Sequence, residues 1–145
     1  MDRTNNVEFD WSTSVEAVTD QHLAELAAWR SYSSEICRWS KERGIIGSYK
    51  GNVAFPVHDE SGRVSSVQHV FLDKGKRKLR FLPGTKVTPL IIGRLEGAHS
   101  TFIFESIWDA IAFLDRSEAY LDEGTAVIVT HSAKIGRLDA TKTTA

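Results

Sequence analysis

Two carboxylates stand four positions apart where an apolar run ends. In residues 102–113, FIFESIWDAIAF, Glu105 directly follows the run and Asp109 comes about one helical turn later. A carboxylate at the end of a buried strand can bind Mg²⁺ or act as a general base, and Asp109 can face the same crevice. The alternative is that Ser106 caps a helix and Asp109 complements its dipole. Capping explains Asp109 but not Glu105, because a charge that ends a buried strand is costly.

A β-α-β unit is predicted to position these two acids. The run at 101–104, TFIF, is continuously apolar, so we expect a strand covered on both faces. The next segment places apolar residues at helical spacing, and residues 125–130, TAVIVT, form a second apolar strand. The pattern predicts a parallel pair with a right-handed crossover, in which ligands bind at the carboxyl ends of the strands. One such unit leaves open sheet edges, so we expect an incomplete α/β part.

The N-terminal third has the pattern of helices. Residues 13–18, TSVEAV, predict a short helix with a capping box between Thr13 and Glu16. A second helix is predicted over DQHLAELAAW, where the apolar stripe ends on the charge of Arg30. A third starts after Ser33 or Ser34 and stops at Gly44.

From residue 45 the sequence favours strands. NVAFPVHD and RVSSVQHVFL flank a short turn and predict a hairpin, with Pro56 at an edge or a bulge. DKGKRKLRFLPG predicts a second turn-back with a basic loop at its tip, and PLIIG a short buried strand. We therefore expect an α/β protein with a helical segment at 1–44, a mixed or antiparallel β subdomain at 45–99, and a partial β-α-β unit at 100–145.

The net charge of −1 hides a strong charge pattern. Residues 63–94 hold eight Lys or Arg and one acid, a local charge of +7, whereas residues 95–123 hold seven acids and one base, a local charge of −6. A basic region beside an acidic one can seat a polyanion next to a metal ion. The alternative is a solvated basic loop that pairs with its acidic neighbours.

Composition excludes several other classes of protein. One cysteine, Cys37, rules out an internal disulfide and any multi-cysteine zinc site, and it indicates a reducing, cytoplasmic setting. No apolar run approaches the roughly 18 residues of a membrane span, and the N-terminus lacks the apolar core of a signal peptide. The histidines lack metal-ligand spacing with Cys37, and no glycine-rich phosphate loop is present.

The carboxylate motif resembles the first motif of the Toprim domain, in which an apolar strand leads to Glu, usually Gly, and then Asp on a helix. The preceding region is similar to Toprim DNA primases of phage or plasmid type. GNVAFPVHDESGRVSSV resembles their aromatic-Pro, Asp and Gly pattern, and KLRFLPGT their Lys-apolar-Pro segment. The segment WRSYSSEICRWSKERGIIGSY is similar to the linker before the catalytic core of primase-helicases. The resemblance covers roughly residues 9 to 135.

The resemblance implies specific roles. Glu105 corresponds to the general base or acid of phosphoryl transfer, and Asp109 helps to bind Mg²⁺. The phosphate-tracking role falls on Lys78 and its basic neighbours. The candidate nucleic-acid-binding residues are Lys74, Lys76, Arg77, Lys78 and Arg80. Lys and Arg neutralise phosphates without reading base sequence.

The sequence departs from the family pattern at two acidic-motif positions. Ser106 replaces the usual Gly, and its side chain restricts the close approach of a ligand to the backbone that Gly permits. The second acidic motif, Asp-x-Asp, is absent from the sequence, where a lone Asp139 follows the last strand. Because two-metal phosphoryl transfer needs several carboxylates, we expect a weak or incomplete Mg²⁺ site. The zinc finger that usually precedes the family's core is also missing.

The sequence therefore predicts a primase core fragment that synthesises RNA primers on single-stranded DNA with Mg²⁺ and is weak or inactive alone. The resemblance implies single-stranded DNA and nucleotides as partners, with a replicative helicase as a further candidate, and no membrane partner is expected. The alternative is a non-catalytic Toprim-like module that binds nucleic acid or a replication partner.

Overall fold

The structure is a computed structural model that describes residues 10–131. In this range the chain forms a mixed α/β fold with one antiparallel sheet and one mixed sheet. The helices are α1 (Trp11–Glu16), α2 (Asp20–Arg30), α3 (Ser34–Glu42) and α4 (Ile107–Ser117). The strands are β1 (Gly47–Tyr49), β2 (Asn52–His58), β3 (Val64–Asp73), β4 (Lys76–Phe81), β5 (Leu90–Ile92), β6 (Ser100–Phe104) and β7 (Thr125–Val129).

The second and third helices follow the predicted start and stop signals. The Thr19 hydroxyl accepts a hydrogen bond from the backbone N–H of His22 at the start of α2. The Ser33 hydroxyl accepts one from Ile36 at the start of α3, and Gly44 takes a φ of +72° after its end. Both predicted helices are therefore confirmed. None of the helices within residues 10–131 is long and apolar enough to cross a bilayer.

Helix α1 begins two residues before the predicted capping box. The Asp10 carboxylate accepts hydrogen bonds from both the N–H and the hydroxyl of Thr13, so Asp10 is the N-cap. Thr13 lies inside the helix, and Glu16 is its last residue. The prediction of a capping box between Thr13 and Glu16 is therefore wrong, because an acid upstream competes better for the free N–H groups.

The four-stranded sheet is an antiparallel meander in the order β1-β2-β3-β4. The predicted hairpin is confirmed as β2 and β3. Strand β2 is an interior strand only as far as Ala54, because β1 pairs with residues 52–54 and no further. Pro56 therefore removes no ladder bond on that side, and the register shifts between Val57 and His58 just after it.

The second turn-back is also confirmed, but of its basic residues only Lys74 lies in the loop. Only Lys74 and Gly75 separate β3 from β4, and both have positive φ, 53° and 79°. This is the geometry of a two-residue hairpin turn, which twists in the same sense as the strands. The rest of the basic run forms β4 itself, so strand alternation rather than a loop decides where its side chains point.

The three-stranded sheet has the order β5-β7-β6. Strand β6 pairs with β7 in parallel, with α4 between them in the chain, which confirms the β-α-β unit. Strand β5 is antiparallel to β7 and fully buried, as predicted for PLIIG, so the sheet is mixed.

Strand β6 is an edge strand, and the prediction that both of its faces are covered is wrong. Phe102 keeps 38% of its surface exposed and Ile103 keeps 59%. The central strand β7, by contrast, buries four of its five residues. Two equally apolar runs therefore differ because β7 has neighbours on both sides and β6 is flanked by β7 alone within the described part of the chain.

One hydrophobic core joins the helices, the four-stranded sheet and the β-α-β unit. Helix α4 contributes the predicted stripe at i, i+3, i+4 and i+7, all buried. Core side chains from the other elements include Leu26, Ile36, Phe55, Leu90 and Val127. The core holds the start of α4 against the inner face of the four-stranded sheet, where the Phe55 and Trp108 rings lie 5.4 Å apart.

Candidate functional site

Glu105 lies at the carboxyl end of β6, immediately before α4. Phe104 is in register with Val129 of β7, and the backbone N–H of Thr130 donates to the carbonyl of Phe104 at 2.8 Å. Glu105 therefore stands at the edge where both parallel strands end, and Thr130 and His131 follow the neighbouring strand β7 at the same edge. Its side chain is exposed. This is the position at which open α/β sheets bind ligands.

Asp109 lies in the first turn of α4, one turn beyond Glu105. The Ser106 hydroxyl accepts a hydrogen bond from the N–H of Trp108, which confirms Ser106 as the cap. Asp109 is exposed and borders a shallow groove of about 590 Å³ with Phe104, Phe113 and Arg116. Capping and a solvent-facing carboxylate thus coexist in this turn.

Two arginines and two tryptophans, the tryptophan–arginine cluster, join α2 and β4 to Trp108 in the first turn of α4. The guanidinium of Arg30 lies 4.5 Å from the ring centroid of Trp108 and 5.4 Å from that of Trp29. Arg77 lies 5.4 Å from the Trp29 ring, and the two indole rings meet edge to face at 5.2 Å. Cations packed against tryptophan faces are stabilised by the ring quadrupole. The cluster therefore holds the charge of Arg30 beside the start of α4 and that of Arg77 on the neighbouring Trp29.

The Tyr32 hydroxyl connects Arg30 to α4. It donates a 2.7 Å hydrogen bond to the backbone carbonyl of Trp108. Burial raises the pKa of Tyr32 to about 12, while the charge of Arg30 lowers it and the carboxylate of Asp109 raises it slightly. Both charges thus act on one buried hydroxyl, which places Arg30 and Asp109 in the same electrostatic neighbourhood.

Arg30 was not among the candidate site residues predicted from the sequence. Its one signal was that the apolar stripe of α2 ends on this charge at the i+7 position. That spacing directs the Arg30 side chain to the same side as the core residues of α2, where it packs on the half-buried rings of Trp29 and Trp108. The Nε of Arg30 is buried without a hydrogen-bond partner.

The predicted basic residues divide between the two faces of β4. Arg77 faces α2 through Trp29, on the inner face of the sheet. Lys76, Lys78 and Arg80 alternate with it and face the opposite side, and Lys74 lies at the turn. The outer face is defined by Tyr49, His69, Phe71, Lys76, Lys78 and Arg80. Within the predicted set, the structure brings Arg77 alone into the cluster at the start of α4.

His131 follows β7 at the same sheet edge as Glu105. Its ring meets Phe81 of β4 edge to face at 5.1 Å, and its backbone has a positive φ of 58°. Burial lowers the pKa of His131 to about 4, so the ring is neutral at physiological pH. The contact places the end of β4 beside the carboxyl edge of the β6–β7 pair.

Mg²⁺ is the cofactor that the two carboxylates would bind. Glu105 and Asp109 offer exposed hard oxygen donors, and Mg²⁺ in nucleotide sites is commonly held by one or two carboxylates with phosphates and water. The residues present therefore suit a partial site. In residues 10–131 no group of three or more His, Cys, Asp or Glu side chains is arranged to hold a metal ion. Asp139 lies outside the described residues.

Comparison with known proteins gives no match. No protein-family model matches the chain, and no curated protein or solved structure is significantly similar to it.

Proposed function

We propose that this chain is a core fragment of a Toprim-type DNA primase, which extends RNA primers on single-stranded DNA with Mg²⁺ and is weak alone. One observation carries the proposal. An exposed carboxylate, Glu105, ends a parallel strand where its helix begins, and the Arg30 guanidinium lies over Trp108 in the first turn of that helix, with Arg77 on the neighbouring Trp29. An acid and a cation beside one helix start suit the transfer of a nucleotidyl group.

The proposed chemistry assigns one role to each side of this site. Glu105 accepts the proton of the primer 3′-hydroxyl as its oxygen attacks the α-phosphorus, and pyrophosphate leaves. Arg30 and Arg77 neutralise the phosphates of the incoming nucleotide, since positioning and charge stabilisation supply most of the catalysis in phosphoryl transfer. Glu105 and Asp109 would hold Mg²⁺, which would supply positive charge to offset the developing negative charge.

The expected weakness follows from the acid count. A two-metal site uses several carboxylates, and this motif supplies Glu105 and Asp109. The resemblance to Toprim primases supports the identity of the reaction, and it also supports a replicative helicase as a protein partner.

A second candidate is a non-catalytic module that binds nucleic acid. The observation that favours it is the direction of the basic strand. Lys76, Lys78 and Arg80 face away from α4 and its acids, so most of the predicted phosphate-binding charge lies apart from Glu105. The cations of the four-stranded sheet thus face away from the acids that follow β6 and lie in α4. This arrangement is suited to holding a nucleic-acid strand rather than to cutting or extending it.

Primer synthesis separates the two functions. The purified chain is incubated with single-stranded DNA, ribonucleotides and Mg²⁺, and labelled RNA products are measured against a reaction without protein. We expect a weak Mg²⁺-dependent signal that Glu105→Gln abolishes and that the control Glu123→Gln, an exposed acid at the opposite end of the β6–β7 pair, leaves unchanged. Synthesis that survives Glu105→Gln contradicts the primase proposal.

The same samples test the module. Single-stranded DNA binding that weakens steeply with salt, but is indifferent to Glu105→Gln and occurs without synthesis, favours the binding module. Strand cleavage in place of synthesis would indicate a Toprim nuclease. If the chain shows neither DNA binding nor primer synthesis, both functions are excluded.

A further inference from the structure

The outer face of the four-stranded sheet carries a continuous ladder of rings and cations. The rings of Tyr49 and His69 lie 4.9 Å apart, and those of His69 and Phe71 lie 6.0 Å apart. The guanidinium of Arg80 covers the Phe71 ring at 3.9 Å, and the Lys50 ammonium lies 5.5 Å from the Tyr49 ring. A cation therefore stands at each end of a row of three rings.

Strand pairing explains why these side chains meet. His69 is paired with Arg80 across the β3–β4 ladder, and Phe71 is paired with Lys78. Residues directly opposite one another in an antiparallel ladder project to the same face, so alternate residues of β3 bring their rings beside the cations of β4. The arrangement is fixed by register and does not depend on a loop.

The charge of the outer face is positive. Lys50, Lys76, Lys78 and Arg80 are exposed around the ladder, and Asp73 is the acid paired with them in the β3–β4 register. The Asp73 carboxylate accepts from the Lys78 ammonium at 2.8 Å, and both groups remain open to water. An exposed pair of this kind contributes little stability and can be exchanged for a phosphate contact.

The central ring of the ladder is neutral. Burial lowers the pKa of His69, and the charges of Arg80 and Lys50 lower it further, against a raising effect of the Val70 carbonyl. Nδ1 of His69 is 3.3 Å from that carbonyl and Nε2 accepts from Nε of Arg80 at 3.5 Å, which suits one neutral tautomer. His69 therefore acts as a packed support that orients Arg80 and the rings on either side of it.

We propose that the outer face binds single-stranded nucleic acid, with bases stacked on Tyr49 and on the Phe71–Arg80 pair and with phosphates bound by Lys50, Lys76 and Lys78. Aromatic rings and guanidinium planes stack on bases of any sequence, and neighbouring cations follow the phosphate chain. The inference deepens the proposed function and rests on its polynucleotide substrate. The inference places the polynucleotide on the outer face of the four-stranded sheet, away from Glu105.

The test compares two oligonucleotides of equal charge. Fluorescence anisotropy measures binding of labelled dT12 and of an abasic 12-mer. We expect the chain to bind dT12 at least about fivefold more tightly, because each stacked base contributes a factor of that order or more. Phe71→Ala should weaken dT12 binding by about fivefold or more and leave abasic binding unchanged.

Two matched variants test separately which face of the sheet binds and whether the planar guanidinium group is needed. Leu72→Ala removes a neighbouring side chain that is 67% exposed on the inner face, and it should leave both affinities unchanged. Arg80→Lys keeps the charge at an exposed position but loses the planar group, so it should reduce the preference for dT12 over the abasic strand. This second variant keeps the test valid if Phe71→Ala fails to fold.

Three results would overturn the inference: equal affinity for both oligonucleotides, equal losses from Phe71→Ala and Leu72→Ala, or no dT12 binding. Primer synthesis with Glu105→Gln, measured on the same preparation, decides the proposed function separately. If dT12 binds tightly and substitutions at Phe71 and Arg80 do not weaken it, the outer face is not the binding surface. The primase proposal is unaffected by that result.

Discussion

The two faces of the four-stranded sheet each combine an aromatic ring with an arginine of β4, but the two rings differ in how far they are buried. On the inner face Phe55 is 1% exposed and packs against Trp108, and Arg77 lies against Trp29. On the outer face Phe71 is half-buried and Arg80 covers it at 3.9 Å in contact with solvent. Similar residue types therefore form a core junction on one side and an accessible ladder on the other.

The difference shows how a basic run is divided by strand geometry. Residues 76–80 are close to a continuous run of charge in the sequence. Because successive side chains of a strand point to opposite faces, this run supplies one cation to the tryptophan–arginine cluster and three to the outer face. Substitutions that separate the faces are the direct way to test this division.

The largest expected effect comes from the inner aromatic ring. Phe55→Ala should lower the free energy of unfolding by about 3 to 5 kcal/mol, because it removes a fully buried ring that joins the sheet to α4. Phe71→Ala should cost less than half of that, since its ring is partly exposed. Urea unfolding followed by tryptophan fluorescence measures both. Equal losses would mean that the outer face is also part of the core.

The pH dependence of the free energy of unfolding should show the titration of His131, which packs against Phe81 on the inner face of the four-stranded sheet. Burial lowers the pKa of His131 from 6.5 to about 4. Between these values the unfolded chain binds a proton that the folded chain does not, so stability falls as pH drops from about 6.5 towards 4. A shift of this size corresponds to roughly 1 to 3 kcal/mol. Urea unfolding at pH 7.5 and at pH 4.5 measures the loss.

The control for that experiment is His131→Asn. Asn tolerates the positive φ of this position and does not titrate, so the variant should lose less stability on acidification. His58 and His69 also have pKa values lowered by burial, but they are common to both proteins and cancel in the difference. An identical pH dependence in the two proteins would show that His131 is not held neutral by burial.

Local sequence signals predicted much of the fold. The caps Ser33 and Ser106, the stop at Gly44 and the stripe on α4 are each set within one or two helical turns. The β-α-β unit followed from two apolar runs around an amphipathic helix. These features were predictable because their causes lie within a few residues of their effects.

Features that depend on distant neighbours were not predictable. The runs at 101–104 and 125–130 are equally apolar, yet one is an edge strand and the other is central, because strand order is a property of the whole sheet. The candidate site shows the same limit. Glu105 and Asp109 were predicted from spacing, whereas Arg30 reaches Trp108 in the first turn of α4 only through the contact between α2 and α4. The outer face needed the β3–β4 register, which no single segment encodes.

A smaller effect should separate the two arginines of β4. Arg77→Ala should lower the free energy of unfolding by about 0.5 to 1 kcal/mol, because it loses a cation–π contact with Trp29. It should leave binding of dT12 nearly unchanged, whereas Arg80→Ala should weaken that binding and its salt dependence. Anisotropy at several salt concentrations measures both. If Arg77→Ala weakens binding as much as Arg80→Ala, the strand also passes over the inner side.

The smallest effect is expected at the edge strand. Ile103 and Ile128 are neighbours in the β6–β7 register, but Ile103 is 59% exposed and Ile128 only 4%. Ile128→Ala should cost about 2 to 5 kcal/mol, and Ile103→Ala within about 0.5 kcal/mol, since the latter removes surface that already contacts water. Urea unfolding of both variants makes the comparison. A cost at Ile103 that approaches the cost at Ile128 would mean that β6 is covered in the protein in solution, because an exposed methyl group has no burial to lose.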